Sequence, residues 1–291
     1  MREVSSLQFR QRLSSQKTPD RLITAIPAMV DDFRHRARKR FGQNFLVDRQ
    51  VIAAIISAIH PQPKDNLVEI GPGLGALTTP LLQILNHLTV IEIDRDIVAQ
   101  LQRDYPQSKL TVHSIDALKF DFSALGGDQR IVGNLPYNIS TPLLFHLSRF
   151  STYIRDMYFM LQKEVVERMV AEPSTSSYGR LSVMLQYRFA MEQIFTVPPE
   201  SFRPAPKVES AIVAMRPLDE NSPVAGDEVL FSQVVSAAFS QRRKTLRNTL
   251  SAYLTREDFN CLDIDANLRA ENLTVQHYVS IADYCLSRSH K

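Results

Sequence analysis

The sequence predicts an α/β protein with a doubly wound parallel sheet, followed by a smaller all-α C-terminal domain. Three observations predict this fold class. Short apolar strands alternate with amphipathic helices over residues 48–170, as strands and crossover helices do in a parallel sheet. A glycine-rich turn directly follows the first of these strands. After Pro217 the pattern is helical throughout.

The elements follow one another in a regular order. Asp48 is a suitable N-cap for a helix that ends at Ile59, because Pro61 and Pro63 prevent its continuation. The next predicted elements are the strand Leu67–Ile70, the helix Ala76–Leu85, the strand Leu88–Ile93, the helix Arg95–Arg103, the strands Lys109–Ser114, Arg130–Gly133 and Met157–Leu161, and the helix Lys163–Val170.

The C-terminal region predicts one helix over about Asp227–Tyr253 and another over Thr274–Ser287, with Thr274 as a suitable N-cap. A chain of 291 residues is long enough for one large domain with a smaller one attached. We therefore expect a leader over residues 1–33, a larger domain over 34–217 and a helical domain over 218–291.

The leader differs in composition from the rest of the chain. Residues 1–33 are rich in Ser, Gln and Arg, and their only acids before residue 31 are Glu3 and Asp20. This composition predicts disorder. It is typical of a transit peptide, or of an upstream extension to a protein that starts at Met29. The leader leaves localisation open, and the remainder predicts a cytoplasmic protein.

The overall composition excludes a membrane protein, because no apolar run approaches the roughly 20 residues that span a bilayer. A net charge of +3 does not by itself indicate nucleic acid. Dense runs of cations are most often solvated surface, but two of them beside a pocket for a base favour phosphate binding. The first run contains Arg34, Arg36, Arg38, Lys39 and Arg40, and the second Arg242, Arg243, Lys244 and Arg247.

The two cysteines, Cys261 and Cys285, do not have the spacing of metal ligands. We therefore predict no metal site, and two buried free thiols in a reducing compartment.

The glycine turn predicts a site for a nucleotide-like cofactor. Glycines at positions 71, 73 and 75 allow backbone N–H groups to approach a ligand closely. Glu92 follows Gly71 by 21 residues, at the end of the next strand, where a carboxylate can accept hydrogen bonds from ribose hydroxyls. Asp116 lies one strand later and could accept from an adenine amino group, whereas Asp94 is better suited to cap a helix.

The tetrapeptide Asn134-Leu135-Pro136-Tyr137 follows another strand and predicts the reaction site. An aromatic amine is a poor nucleophile, and two acceptors that grip its hydrogens would direct its lone pair at an electrophilic methyl group. The side-chain oxygen of Asn134 and the carbonyl of Leu135 are suitable acceptors, Pro136 stiffens the turn, and Tyr137 can stack on a base. An NAD dehydrogenase is the competing interpretation, but it leaves this tetrapeptide unexplained.

Several motifs in order resemble the ribosomal RNA adenine dimethyltransferases, most closely the bacterial enzymes that act on small-subunit rRNA. They are the glycine turn, Asn134–Tyr137, and the segments Lys39–Leu46, Phe202–Ser210, Gln241–Arg247 and Arg269–Leu273. The resemblance covers about residues 34–288. It implies a Rossmann-like class I methyltransferase sheet, with S-adenosylmethionine as the cofactor.

The resemblance also implies a substrate and roles for residues. The substrate is a pair of adjacent adenosines near the 3′ end of 16S rRNA in the 30S subunit, dimethylated at their N6 amines by a monomeric enzyme with a role in subunit biogenesis. The implied cofactor-binding residues are Asn44, Leu46, Gly71, Gly73, Glu92, Asp116 and Asn134. Phe202 would cover the face of the target base opposite Tyr137. The implied RNA-binding residues are Arg38, Lys39, Arg40, Arg242, Arg243, Lys244 and Arg247.

Two alternatives remain open from the sequence. The first is a large-subunit rRNA adenine methyltransferase of the macrolide-resistance type, although a basic helix over Gln241–Arg247 and the long helical C-terminal domain favour the small-subunit enzyme. The second is a ribosome-assembly factor that has kept the fold without the activity. The presence of Asn134, Pro136 and Tyr137 argues against lost catalysis.

Overall fold

The computed structural model describes residues 44–219 and 222–289. The strands are β1 (Phe45–Leu46), β2 (Asn66–Ile70), β3 (Leu88–Glu92), β4 (Leu110–Ser114), β5 (Gln129–Asn134), β6 (Ile154–Gln162), β7 (Phe189–Val197), β8 (Phe202–Arg203) and β9 (Ser210–Pro217). The helices are α1 (Arg49–Ile59), α2 (Thr78–Ile84), α3 (Arg95–Asp104), α4 (Ser140–Ser148), α5 (Lys163–Val170), α6 (Arg180–Gln186), α7 (Glu228–Ala238), α8 (Leu246–Thr249), α9 (Arg256–Cys261) and α10 (Val275–Ser289). The predicted strands and helices up to Val170 are confirmed, with small differences at their ends.

The seven-stranded sheet has the order β4-β3-β2-β5-β6-β9-β7. Strand β2 is parallel to both β3 and β5, β3 is parallel to β4, and β5 is parallel to β6. The chain therefore builds outward from β2 in one direction and then returns to place β5 on its other side. This arrangement confirms the doubly wound fold. It creates a topological switch point between β2 and β5, where ligands bind at the carboxyl ends of the strands.

The central strand β2 is buried on both faces, because Leu67, Val68, Glu69 and Ile70 are all at most 3% exposed. A nearly continuous apolar run is typical of a parallel strand that is covered by helices on both sides. Helix α1 begins as predicted, since the Asp48 carboxylate accepts hydrogen bonds from two backbone N–H groups of its first turn.

A buried ionic cluster joins the amino ends of the strands to helix α1. The Arg130 guanidinium lies 2.8 Å from carboxylate oxygens of both Asp65 and Asp156. It also donates a 2.6 Å hydrogen bond to the Ile59 carbonyl at the end of α1. These contacts pair the buried charge and satisfy a helix-terminal carbonyl. They fix the edge of the sheet opposite to the one that carries the predicted site residues.

The described chain divides into two compact units. The first contains residues 44–163 and 194–214, and the second contains residues 164–193 and 215–289. In the second unit the rings of Tyr187 and Phe231 stack with their centroids 4.3 Å apart. Tyr278 is fully buried there, and its hydroxyl donates to the Ala270 carbonyl over 2.7 Å.

The predicted helix over Asp227–Tyr253 is wrong in its extent. Its start is confirmed, because the Asp227 carboxylate caps α7, but α7 ends at Ala238. The predicted basic helix over Gln241–Arg247 is also wrong, since residues 241–244 form turns. The physical reason is a distant contact: Thr245 forms an antiparallel bridge with Arg269, which requires extended backbone at that point.

The last helix, α10, confirms the prediction at its start. The hydroxyl of Thr274 accepts from the His277 N–H over 3.3 Å, and the His277 ring accepts in return from the Thr274 N–H. Both cysteines are free thiols, but the prediction that both are buried is wrong, since Cys261 is exposed. The leader and the cations at Arg38, Lys39 and Arg40 lie outside the described residues. None of the described helices is both long and apolar enough to cross a membrane.

Candidate active site

The glycine turn follows β2 at the switch point of the sheet. Gly71, Gly73 and Gly75 have φ angles of +68°, +55° and +85°, which lie in the left-handed region that favours glycine. The Gly71 N–H donates to the Ile91 carbonyl over 3.0 Å, which anchors the start of the turn to β3. The backbone after β2 is therefore held in a form that leaves room for a ligand beside it.

Glu92 ends β3, and its side chain is nearly buried at 7% exposed. One carboxylate oxygen accepts from the N–H groups of both Ile93 and Asp94, each over 2.8 Å. Burial raises the pKa of Glu92, and hydrogen bonds from the amides of Asp94, Ile93 and Gly73 oppose that rise. The carboxylate thus links the end of β3 to the glycine turn.

The two aspartates near these strand ends have different positions. Asp94 caps α3 through a 3.1 Å hydrogen bond from the Asp96 N–H, as predicted. Asp116 follows β4 and is half-buried. One of its oxygens accepts from the Leu118 N–H over 3.0 Å and caps a short 3-10 helix.

The residues described so far lie at one edge of the sheet, which we call the carboxyl edge. It comprises the carboxyl ends of β2 to β5 and the loops 71–77, 93–94, 115–116 and 134–137.

Asn134 ends β5, directly across the switch point from the glycine turn. Its side-chain nitrogen donates to the Asn44 carbonyl over 3.0 Å. A carbonyl can only accept, so this bond fixes which end of the amide is the nitrogen. Within the described residues no hydrogen bond to the Asn134 side-chain oxygen is found, which leaves an acceptor at the carboxyl edge.

Gly133, just before Asn134, explains how β5 can approach β2 so closely. A Cβ atom at position 133 would lie 2.5 Å from the Ile70 carbonyl oxygen, which is backbone and cannot rotate away. Any other residue would push β5 from β2 at the switch point. The sequence pattern included Gly133 only as the end of a strand, and its contribution to the site appears only in three dimensions.

The rest of the tetrapeptide forms a turn beyond the sheet. Leu135 is 1% exposed, and its N–H donates to the Met160 carbonyl on β6 over 3.2 Å. The Pro136 carbonyl accepts from the Ile139 N–H over 3.1 Å, which closes the turn. Tyr137 is half-buried, and its hydroxyl lies 2.8 Å from the Ser210 hydroxyl.

The segment before α1 joins the same region. Strand β1 pairs antiparallel with β8, so that Leu46 lies opposite Phe202. The Phe45 ring lies 3.3 Å from the place that a Cβ of Gly73 would occupy, so this ring covers the glycine turn. Phe202 is only 1% exposed and belongs to the apolar core. A base can therefore reach the Phe202 ring only if neighbouring side chains move.

Two kinds of residue were missed in the sequence. Ile93 and Ile115 are exposed apolar side chains, 48% and 38% exposed, directly beyond β3 and β4. An apolar residue exposed at such a strand end is a signal for contact with a planar ligand. Glu69 is the other: it is fully buried, accepts a 2.7 Å hydrogen bond from the Thr78 hydroxyl, and burial raises its pKa to about 7.

The predicted RNA-binding residues of the second unit lie on the basic segment, which we define as residues 241–247. Arg242, Arg243, Lys244 and Arg247 are all exposed. Arg242 has protein partners, because its guanidinium forms a 3.2 Å ion pair with Glu271 and also donates to the Ser176 carbonyl. The bridge to Thr245 brings Arg269, which the predicted RNA-binding set does not include, next to this segment.

The fold and the carboxyl edge together define the class of this protein, which is a doubly wound α/β protein with a site for a nucleotide-like ligand. Residues 34–286 match the family described as ribosomal RNA adenine dimethylase. The chain belongs to this family.

Curated relatives cover almost the whole of their own length. "Ribosomal RNA small subunit methyltransferase A" from Nitrosospira multiformis is 65% identical over 251 residues, which are 86% of this chain and 97% of the relative. The protein of the same name from Nitrosomonas europaea is 68% identical over 248 residues, which are 85% of this chain and 96% of the relative.

Solved structures resemble the fold. A dimethyladenosine transferase from Plasmodium falciparum has a TM-score of 0.71 and 26% identity, and the match covers 81% of this chain and 95% of that one. The 23S rRNA methyltransferase ErmE has a TM-score of 0.65 and 23% identity, covering 83% and 99%; at this identity the likeness concerns the fold alone. The chain is an rRNA adenine methyltransferase, and its methyl donor is S-adenosylmethionine.

The carboxyl edge fits this cofactor. Its glycines carry no Cβ atoms, so a ligand can approach the backbone of the turn closely. Glu92 presents a carboxylate at the end of β3, and Ile93 and Ile115 expose apolar side chains. Among the described residues no group of three or more His, Cys, Asp or Glu side chains could hold a metal ion.

Proposed function

We propose that this protein dimethylates the N6 amines of two adjacent adenosines near the 3′ end of 16S rRNA, within the 30S subunit. It does so as a cytoplasmic monomer, and it contributes to subunit biogenesis. The names and high identity of the curated relatives support the small-subunit rRNA as the substrate. The observation that carries the proposal is the Asn134 amide, whose nitrogen is bound by Asn44 so that its oxygen remains an acceptor at the switch point.

In this proposal Asn134 and Leu135 activate the amine. The exocyclic nitrogen of adenine is a weak nucleophile because its lone pair is delocalised into the ring. The Asn134 side-chain oxygen and the Leu135 carbonyl accept the two amine hydrogens, which favours a pyramidal nitrogen and directs its lone pair. The contact from Asn44 keeps the amide from rotating, so the acceptor is already in place before the substrate arrives.

The cofactor supplies an electrophilic methyl group on a sulfonium ion when it is bound. The turn at Gly71 and Gly73 has no Cβ atoms and would let the polar end of the cofactor lie close to the backbone, and Glu92 would accept from the ribose hydroxyls. Asp116 would accept from the adenine amine through the oxygen that does not cap the 3-10 helix. Asn44 and Leu46 would border the cofactor beside Asn134.

Tyr137 and Phe202 hold the target base in this proposal. An adenine in a folded rRNA must leave its stack to reach the methyl donor, and stacking on an aromatic ring replaces part of the lost energy. Tyr137 is half-buried, so one face of its ring can meet the base. Phe202 meets the other face after its covering side chains move.

We assign the larger domain, residues 34–217, to the cofactor and the chemistry, and residues 218–291 to rRNA. Arg243, Lys244 and Arg247 are exposed on the basic segment and bind phosphates. Arg242 contributes less charge to RNA because Glu271 already pairs with it. Arg38, Lys39 and Arg40 complete the predicted set of RNA contacts.

A methylation assay on ribosomal subunits tests this proposal. Purified protein would be incubated with radiolabelled S-adenosylmethionine and small subunits that lack the modification, with large subunits as the matched control. We expect two methyl groups on each of two neighbouring adenosines of 16S rRNA, and none on the large subunit. Labelling of the large subunit alone would indicate the macrolide-resistance activity. Tight binding to small subunits without methyl transfer would indicate an assembly factor.

A further inference from the structure

The hydroxyl of Tyr137 has a fixed partner. It lies 2.8 Å from the hydroxyl of Ser210, a residue 73 positions further along the chain. Ser210 is completely buried and begins β9. A fully buried hydroxyl on a strand of the sheet has little freedom, so the contact ties the tip of the Tyr137 ring to the rigid part of the fold.

The start of β9 is itself firmly held. Glu209, directly before Ser210, forms a 2.8 Å ion pair with Lys163. The carbonyl of Glu209 also accepts from the Lys163 N–H over 3.0 Å. Ser210 therefore has an anchored neighbour on one side and the strand on the other, and its side chain cannot follow Tyr137 if that ring moves.

The turn that carries Tyr137 is less regular. Tyr137 lies beyond the end of β5, and its backbone carbonyl accepts from the Ser140 hydroxyl over 3.1 Å. This bond holds the residue at its backbone, while the bond to Ser210 holds it at the hydroxyl. A ring held at both ends keeps one orientation, and a surface that is pre-oriented for stacking loses less entropy when a base binds.

We propose that Ser210 is a positioning residue of the methyl transfer: by binding the Tyr137 hydroxyl, it sets the plane of the ring on which the target adenine stacks. This inference rests on the proposed function, because it requires Tyr137 to stack on the base. Ser210 does not contact the substrate and acts only through Tyr137.

Tyr137 is protonated at neutral pH and shares a hydrogen bond with Ser210. Burial raises the pKa of its hydroxyl further above neutrality. Because that hydroxyl is engaged by Ser210, the face of the ring is the part that Tyr137 offers to a base.

The test is a double-mutant cycle between Ser210→Ala and Tyr137→Phe, measured by steady-state methylation of small subunits. Each single change removes the same hydrogen bond, and we expect a roughly threefold to tenfold lower kcat with an unchanged KM for the subunit. The double variant should be no slower than either single variant. Tyr137→Ala, which removes the ring, should be slower still, because stacking on an aromatic ring contributes about 1–3 kcal/mol per base.

Ser182→Ala is the matched control for a purely structural effect. Ser182 is a fully buried serine of the second unit, and its hydroxyl bonds to the Gly179 N–H and the Arg168 carbonyl. We expect this variant to lower the thermal midpoint, as Ser210→Ala does, without lowering kcat. If Ser210→Ala fails to fold, Tyr137→Phe removes the same bond from the other side and carries the measurement.

The outcomes separate the inference from the proposed function. Wild-type kcat in Tyr137→Ala would contradict the stacking role of Tyr137, and the Ser210 inference with it. A large loss in Tyr137→Ala together with wild-type kcat in Ser210→Ala and Tyr137→Phe would overturn the Ser210 inference alone. Additive losses in the double variant would also overturn it, because Ser210 would then act by another route.

Discussion

The proposed function has two parts, methyl transfer at the carboxyl edge and RNA binding on the basic segment, and the two regions differ in structure. At the carboxyl edge, side chains such as Glu92 and Asn134 are nearly or partly buried, and hydrogen bonds from the backbone or to it fix their orientation. On the basic segment, Arg243, Lys244 and Arg247 are exposed on turns and the start of a short helix. The proposed chemistry at the carboxyl edge depends on the position of individual atoms, whereas RNA binding by the basic segment depends on the placement of charge.

This difference predicts how strongly substitutions in each region affect the protein. Chemistry at a methyl group needs acceptors placed before the substrate binds, since a displacement of about 1 Å can cost a hundredfold in rate. Attraction of phosphates acts over several ångströms and depends on the number of cations. We therefore expect substitutions at the carboxyl edge to have large and specific effects, and substitutions on the basic segment to have smaller and graded ones.

The largest effect is expected at Asn134. Asn134→Ala removes one of two acceptors for the amine, and loss of one such oriented group lowers kcat by about 10²–10³. Single-turnover methylation and the affinity for S-adenosylmethionine should be measured on the same preparation, with affinity nearly unchanged. A rate within a few-fold of the wild type would contradict the proposed role.

The second effect concerns Glu69, because burial raises the pKa of its carboxyl group to about 7. The unfolded chain releases this proton near 4.5, so between pH 4.5 and 7 the folded state binds more protons and stability falls as pH rises. Glu69→Gln keeps an acceptor for Thr78 without the charge, and should be more stable than the wild type by up to about 3 kcal/mol above pH 7.

Denaturant unfolding at pH 4, 6 and 8 checks this prediction without cofactor. The difference between Glu69→Gln and the wild type should grow with pH and then level off above pH 7. A difference that is constant over this range would mean that Glu69 is not a buried acid of raised pKa.

A smaller effect is expected for the cofactor at Glu92. Glu92→Ala removes a charged acceptor from the ribose, and a hydrogen bond to a charged group contributes about 1.5–3 kcal/mol. Calorimetric titration with S-adenosylmethionine should therefore show an affinity lowered by about ten-fold to a hundred-fold. Asp94→Ala, which removes the cap of α3, is the neighbouring control. An unchanged affinity in Glu92→Ala would remove Glu92 from the site.

The smallest effect separates two neighbours on the basic segment. Arg243→Ala should reduce the slope of log affinity for small subunits against log salt concentration by about 0.7–0.9, since one phosphate contact is lost. Arg242→Ala should reduce it less, because Glu271 already neutralises part of that charge. Equal reductions would show that the ion pair with Glu271 does not persist on RNA.

The two regions also differ in how far the sequence predicts them. The carboxyl edge follows from local patterns, because parallel strands end at the same edge and bring Gly71, Glu92 and Asn134 together. The basic segment does not: Asp227 marks the start of α7, but the extended backbone at Thr245, which forms a bridge with Arg269, interrupts the predicted helix further along the chain. A contact between distant residues leaves no local signal, and a run of good helix formers is then read as helix.

The same limit applies inside the site. Tyr137 is recognisable from its tetrapeptide, but its pairing with Ser210 arises only because β9 lies beside β6 in the sheet. The close approach at Gly133 and the burial of Phe202 likewise depend on packing. Sequence patterns identify the candidate site residues, and the structure adds which residues hold them in place.

The most direct test of the central claim is the modification state of 16S rRNA in cells. Mass spectrometry of its 3′ fragment should be compared in cells that lack this gene and in the same cells complemented with the wild type or with Asn134→Ala. We predict two adjacent dimethyladenosines with the wild type, and unmodified adenosines in the deletion and with Asn134→Ala. Two dimethyladenosines in the cells that lack the gene would contradict the account.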